Sequence, residues 1–125
     1  NTPARQIINE KSIQNAIRVS AAIGGSTNVA LHVPAIGYEA DSAVNMDLFE
    51  ELCRSTPYIA KMNPAAAPNV PDFHRAGGIP AVMREILPIL HSDALTVTGK
   101  TVAENVANAH IDDSNIIRVM SDPWS

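Results

Sequence analysis

The chain has 125 residues, a net charge of −4, and 46% apolar against 18% charged residues, the size and balance of one globular domain rather than a disordered segment. It has no basic cluster, which argues against nucleic acid as a partner. No apolar run approaches the roughly 18 residues of a membrane span, and no charged-then-apolar leader opens the chain, so the expectation is a soluble, cytoplasmic protein.

Ile13, Ala16, Ile17, Ser20 and Ala21 recur at helical spacing and predict a helix over 12–23. Val29, Ala30, Val33 and Ile36 predict a second over 27–39, kinked or stopped early at Pro34. Between them Gly24-Gly25-Ser26-Thr27-Asn28 forms a corner. The glycines end the first helix in a left-handed turn, and Ser26 or Thr27 caps the second. Backbone N–H groups and two hydroxyls then converge, an arrangement able to hold a carboxylate or phosphate. The same corner also reads as a tight helix–helix turn in which glycine serves shape alone. Both readings stand at this point.

Asp47 and Glu50 have the spacing of a capping box, with Leu48, Phe49, Leu52 and Cys53 on one face of the helix that follows. Tyr58–Met62 reads as a short strand. Pro64, Pro68 and Pro71 make 63–71 irregular. Asp72 caps a turn of helix ending at Gly77-Gly78, and Pro80 opens the next helix. That helix carries Val82, Met83, Ile86, Leu87 and Leu90 on one face, and Pro88 distorts its last turn. Leu95–Thr98 reads as extended. Thr101 and Glu104 form a capping box that opens a helix over 101–109, and the β-branched Ile116–Met120 reads as a strand. The expected class is α/β: helix-rich, with short strands.

Other chemistry is sparse. Thr98-Gly99-Lys100-Thr101 invites a phosphate-loop reading, but that loop needs a glycine where Ala94 stands. The bland reading is a strand-to-helix turn with Lys100 in solvent. His32, His74, His91 and His110 lack the spacing of paired metal ligands on one helix face. His32 lies one turn after Asn28 and can face the corner, and His91 is expected to meet carbonyls at a helix end. Cys53, the one cysteine, reads as a small hydrophobe. Asp112-Asp113 has the chemistry to bind a cation but reads better as a solvated turn, and Asp41, Asp47, Glu50 and Glu51 read as solvated surface. No catalytic or metal-ligating residue is assigned.

Asn15-Ala16-Ile17 followed by Gly24-Gly25-Ser26-Thr27-Asn28-Val29-Ala30-Leu31-His32 resembles a segment of the dihydroxy-acid and phosphogluconate dehydratase family. So do three later stretches in the same order and spacing: Asp72 to Met83, Leu90 to Thr101, and Asp122-Pro123. The resemblance runs from about residue 10 to the end. It implies that residues 1–125 form a single segment, the C-terminal part of the N-terminal domain of a larger dehydratase, and the start at Asn1 agrees with a piece of a longer chain. It implies a hydro-lyase that converts a 2,3-dihydroxy acid to a 2-keto acid, most like the branched-chain amino-acid enzyme, with a sugar-acid or phosphogluconate dehydratase as the alternative. It implies an iron–sulfur cluster and Mg²⁺ in the complete enzyme, supplied by motifs absent from this segment, and a homo-oligomeric parent. The segment alone is expected to be inactive and to bind no cluster, its partners being the dihydroxy acid and the remainder of the parent chain. At the corner, Ser26 and Thr27 are the candidate substrate-binding residues. One departure is Pro64-Ala65-Ala66-Ala67-Pro68, where the family often has Pro-Ser-Gly or Pro-Ala-Gly. A non-catalytic interaction module and a nucleotide-binding domain remain the readings from other classes.

Overall fold

Asn9 fixes the start of the central helix. Its side chain accepts from Ser12 N at 3.1 Å while the Ser12 hydroxyl accepts from Asn9 N at 3.0 Å, a reciprocal cap. The computed structural model describes residues 3–25, 28–42, 44–61 and 68–124 and, within these, every side chain but those of Arg5 and residues 28–31. A short helix α1 (Ala4–Ile7) precedes α2 (Glu10–Ala22), which packs against α3 (Asn28–Glu39), α4 (Met46–Arg54) and α6 (Gly78–Glu85).

Two cores meet on α2. Ile13 and Ile17 bury against Leu52, with Val33, Leu48, Phe49 and Cys53 packed around them. The shared apolar face expected for α4 is therefore its contact with α2. The cap of α4 differs from the expectation: Asn45, not Asp47, accepts from Leu48 N at 2.8 Å, and Asp47 lies in the first turn. Asn45 is itself a favoured cap residue, and Asp47 gains from the positive helix end without capping it. The other end of α4 is held by α2, because Arg18 donates to the Ser55 and Thr56 hydroxyls, both at 2.9 Å. Helix α3 does not stop at Pro34 but continues to Glu39. Proline removes one hydrogen bond there, yet its fixed φ is compatible with helix, and packing on α2 retains the rest.

The larger core gathers Ala22, Ile59, Phe73, Val82, Ile86, Leu90, Val102 and Ile117. Its helices obey the turn chemistry with shifted boundaries. Asn69 caps α5 (Val70–Arg75), and Asp72 is the residue that answers it from the third position. Pro71 thus sits inside the first turn, where no donor is needed, and not in an irregular run. Residues 62–67 lie outside the described residues. Gly77 caps α6, whose third residue is Pro80. The helix ends at Glu85, and Pro88 sits in a 3₁₀ turn over Leu87–Ile89, so the single long helix foreseen through Leu90 is broken as the proline dictates. Thr101 and Glu104 form the expected box, but α7 spans only Val102–Asn105 instead of reaching 109. No helix among the described residues is long and apolar enough to cross a membrane.

The expected strands shrink to two isolated antiparallel bridges among the described residues, Ala60 with Ile117 and Leu95 with Thr101. A specific competition explains this. Ile59 N and Ala60 N both donate to the Ala22 carbonyl at the end of α2, at 2.9 and 3.1 Å, instead of to a neighbouring strand. What is established is a helix-rich segment with extended connections.

One buried polar side chain joins α2 to the far side of the fold. Asn15, 5% exposed, accepts from His91 N at 2.7 Å and donates to His91 O at 3.0 Å. Gln14 meets the His91 ring at 2.9 Å. His91 is thus held by α2 side chains and does not reach the helix-end carbonyls expected for it. Asn15→Ala leaves an N–H and a C=O without partners, at about 1–3 kcal/mol for each group that stays buried. Urea unfolding is expected to show a loss in that range or above it, and an unchanged midpoint would mean that water replaces the amide.

The two helix boxes also set an acid limit. The Asn69 N–H, joined by Arg75, holds the Asp72 carboxyl below its usual range. The Thr101 N–H and hydroxyl, joined by Lys100, do the same for Glu104. A lowered folded-state pKa means that the unfolded chain binds more protons through that window. This contribution to stability is therefore present above the ordinary carboxylate range and lost as pH falls through the lowered values. Glu104→Gln and Asp72→Asn are expected to lower the Tm at neutral pH and to flatten its decline between about pH 5 and 2. Melting curves across that range check it, and a decline as steep as in the parent chain would contradict it.

Candidate functional site at the Gly24 corner

The end of α2 closes in a paired hydrogen-bond pattern. Gly24 N donates to Ala21 O at 3.2 Å and Gly25 N to Ser20 O at 2.7 Å, with Gly24 at φ 70°. This is the left-handed termination that the two glycines predict. Closeness adds to the requirement. A Cβ on Gly25 would lie 1.9 Å from the Ser20 hydroxyl, and one on Gly24 would lie 2.9 Å from the Tyr58 ring. Helix α3 then begins at Asn28. Ser26 and Thr27, the predicted substrate-binding residues, lie outside the described residues.

Tyr58 connects the corner to a cationic and aromatic cluster that sequence reasoning missed. Arg118 N donates to Ile59 O and Trp124 N to Tyr58 O, both at 2.7 Å. These bonds lay the 116–124 segment beside 58–61. The Lys61 ammonium then sits 5.7 Å from the Tyr58 ring centre and 4.9 Å from that of Trp124. The Arg118 guanidinium sits 3.8 Å from the Trp124 ring centre. These are cation–π contacts, worth about 0.5–1 kcal/mol each at exposed sites. Arg118 also approaches Asp122 at 3.8 Å. The Trp124 indole nitrogen is buried without a hydrogen-bond partner among the described residues. The residues come from segments more than fifty positions apart, so no local spacing announces the cluster.

The remaining candidates do not assemble a site. Four of the six N–H groups of the 96–101 turn are already used: Thr96 N on Lys100 O, Gly99 N on Thr96 O, Lys100 N on the Thr98 hydroxyl and Thr101 N on Glu104. With those N–H groups spent, they cannot encircle a phosphate, and the nucleotide reading loses its physical basis. His32 lines a groove with Ala4, Ile8 and Ile36, so the groove, not the Gly24 corner, is its setting. His74 is exposed, and His110 pairs with Asp112 at 2.8 Å on the surface. Asp113 accepts from Asn115 N at 2.9 Å, so the two aspartates serve different partners.

The donor set does not suit a metal or a cluster. No group of three His, Cys, Asp or Glu side chains among the described residues is placed to hold a metal ion. Cys53 packs in the smaller core, where burial raises its pKa and disfavours the thiolate that a cluster requires. The described residues fit neither group.

Sequence comparison identifies the fold's lineage. Residues 1–105 match the model of the dihydroxy-acid/6-phosphogluconate dehydratase N-terminal family, and the chain belongs to that family. It is 45% identical over 122 residues to a dihydroxy-acid dehydratase of Ignicoccus hospitalis, covering 96% of this chain and 22% of the relative. It is 45% identical over 125 residues to a dihydroxy-acid dehydratase of Oleidesulfovibrio alaskensis, covering 97% of this chain and 22% of the relative. A third, from Methanothermobacter thermautotrophicus, is 40% identical over 124 residues, with 98% and 23% covered. The chain thus spans between a fifth and a quarter of the length of the curated relatives it matches.

The corner geometry generates a direct expectation. Gly24→Ala forces a side chain into the left-handed region, at about 1–3 kcal/mol, while the Tyr58 ring must also shift. Chemical denaturation is expected to show that loss. A variant as stable as the parent would mean that the corner relaxes to another backbone conformation.

Proposed function

We propose that this chain is the C-terminal part of the N-terminal domain of a cytoplasmic, homo-oligomeric hydro-lyase. That enzyme removes water from a 2,3-dihydroxy acid, giving an enol that becomes the 2-keto acid. The observation that carries the reading is 40–45% identity, over nearly the whole chain, to relatives named dihydroxy-acid dehydratase. The family's name also includes 6-phosphogluconate dehydratase, so a sugar acid is the second substrate to be tried. The bridge between Ala60 and Ile117 supports an α/β class for the complete domain.

The role proposed for this segment is to hold the substrate and not to perform the chemistry. Ser26 and Thr27 are the proposed substrate-binding residues, just ahead of α3. The positive end of a helix favours a carboxylate by about 0.3–1 kcal/mol when exposed, and by more when dry. Lys61, held against Tyr58, adds positive charge on the side of the corner that Tyr58 covers. An iron–sulfur cluster and Mg²⁺, as the family resemblance implies, would be held by other parts of the parent polypeptide. No reaction step is assigned to residues described here.

A chimera tests this. Residues 1–125 replace the matching segment of the Ignicoccus hospitalis dehydratase, and 2-keto acid formation is followed with dihydroxyisovalerate and with 6-phosphogluconate. Activity on the first is expected. Ser26→Ala and Thr27→Ala in the chimera are expected to raise KM with little change in kcat, whereas a purely structural corner would show only a lower Tm. A folded, metal-loaded chimera that is inactive on both acids would overturn the reading.

A further inference from the structure

A groove of about 540 Å³ runs between α2 and the 94–97 segment. Ala16, Val19 and Ile23 line one wall and Leu95 and Val97 the other, and Ile7 also lines the groove. None of the residues that line it is charged. Its polar side chains are spent except for Ser20: the Asn15 amide is bonded to His91, the Ser12 hydroxyl to Asn9, and the Thr96 hydroxyl to Lys100 O and Asn105. A small-molecule site needs a few unspent polar groups to orient its ligand, and this groove offers almost none. Val97 is nonetheless 81% exposed, and Ala16 is also on the surface. A second groove, between α1 and α3, carries Glu39 and His32 on its walls and lacks this uniform character.

We propose that the groove between α2 and the 94–97 segment is the seat of an uncharged, apolar segment from the remaining part of the dehydratase polypeptide. The proposal rests on the reading of the chain as part of such an enzyme. Two facts select this occupant. The relatives are more than four times as long as the aligned segment, so most of each polypeptide lies outside it. A wall without charge also gives no electrostatic guidance to a separate diffusing partner, while a covalently attached segment needs none. The occupant inserts aliphatic side chains between Leu95 and the α2 face and covers Val97. The groove is therefore an internal contact of the complete enzyme, one that runs along α2 as far as Ser20 and Ile23, beside the Gly24 corner.

Cysteine labelling tests this in the chimera and in the 125-residue chain. Val97→Cys and Ala16→Cys are introduced one at a time, with Lys100→Cys as an exposed control and the reaction of Cys53 measured as background. All three positions are exposed here, so folding is expected to persist, and circular dichroism checks it. In the chimera a maleimide is expected to react at least tenfold more slowly at 97 and 16 than at 100. In the 125-residue chain all three are expected to react alike. A photoactivatable cross-linker attached at position 97 of the Val97→Cys chimera is expected to capture a peptide from outside residues 1–125. Equal labelling at 97, 16 and 100 in the chimera overturns the proposal while leaving the catalytic reading intact. So does protection in the 125-residue chain alone accompanied by a dimer in sedimentation, which would make a second copy the occupant. A chimera inactive on both acids but protected at 97 and 16, with a cross-link outside residues 1–125, overturns the catalytic reading and leaves the groove assignment standing.

Discussion

The Ala22 carbonyl is the constraint on which the arrangement depends. It belongs to the last residue of α2, and it accepts two N–H groups, from Ile59 and Ala60. A helix end normally leaves carbonyls for caps or water. Here one of them anchors an extended segment, and that segment passes its own bonds onward, Ile59 O to Arg118 and Tyr58 O to Trp124. The helix end, the Gly24 turn, the Tyr58 ring and the cation–aromatic cluster are thereby fixed relative to one another. The larger core grows around the same point, since Ala22, Ile59, Ala60 and Ile117 are all fully buried in it.

The sequence was most legible where structure follows from contiguous residues. Helix α2, the left-handed turn at Gly24, the shared face of Leu48, Phe49, Leu52 and Cys53, and the Thr101–Glu104 box all arise from local spacing, and all appear. The strand expectations fared less well because β-branched composition records a preference for extended backbone but not the identity of the hydrogen-bond partner. Ile116 to Met120 is apolar enough for a strand, yet it meets 59–60 at a single bridge because the N–H groups there are already engaged by α2. Cap positions slipped by two or three residues at Asn45 and Asn69. In both places an asparagine outside the apolar pattern took the role given to an aspartate inside it.

The site shows the same division. Gly24 and Gly25 were readable as a corner because a turn is a local object. Lys61, Arg118 and Trp124 were not, because they come together only through the main-chain bonds at 58–59. Asn15 belongs with them, since its amide is spent entirely on a residue 76 positions away. Family resemblance reaches what local patterning cannot, because it compares the whole order of motifs at once. It places the chain in the dihydroxy-acid/6-phosphogluconate dehydratase N-terminal family even though no group of three His, Cys, Asp or Glu side chains among the described residues is placed to hold a metal ion.

Many of the ties between distant segments run from main chain to main chain: Ile59 and Ala60 to Ala22, Val102 to Ala94, Ala103 to Ser92, Asp112 to Ala76, Arg118 to Ile59, and Trp124 to Tyr58. Such ties do not depend on which side chain each donor carries. They tolerate sequence drift and forbid one replacement, because proline alone has no N–H to give. Positions 59, 60, 102, 103, 112, 118 and 124 are therefore open to every residue but proline as far as these bonds are concerned. The 40–45% identities record a sequence that differs from its relatives at more than half of the aligned positions, and main-chain ties of this kind place almost no limit on which residues differ.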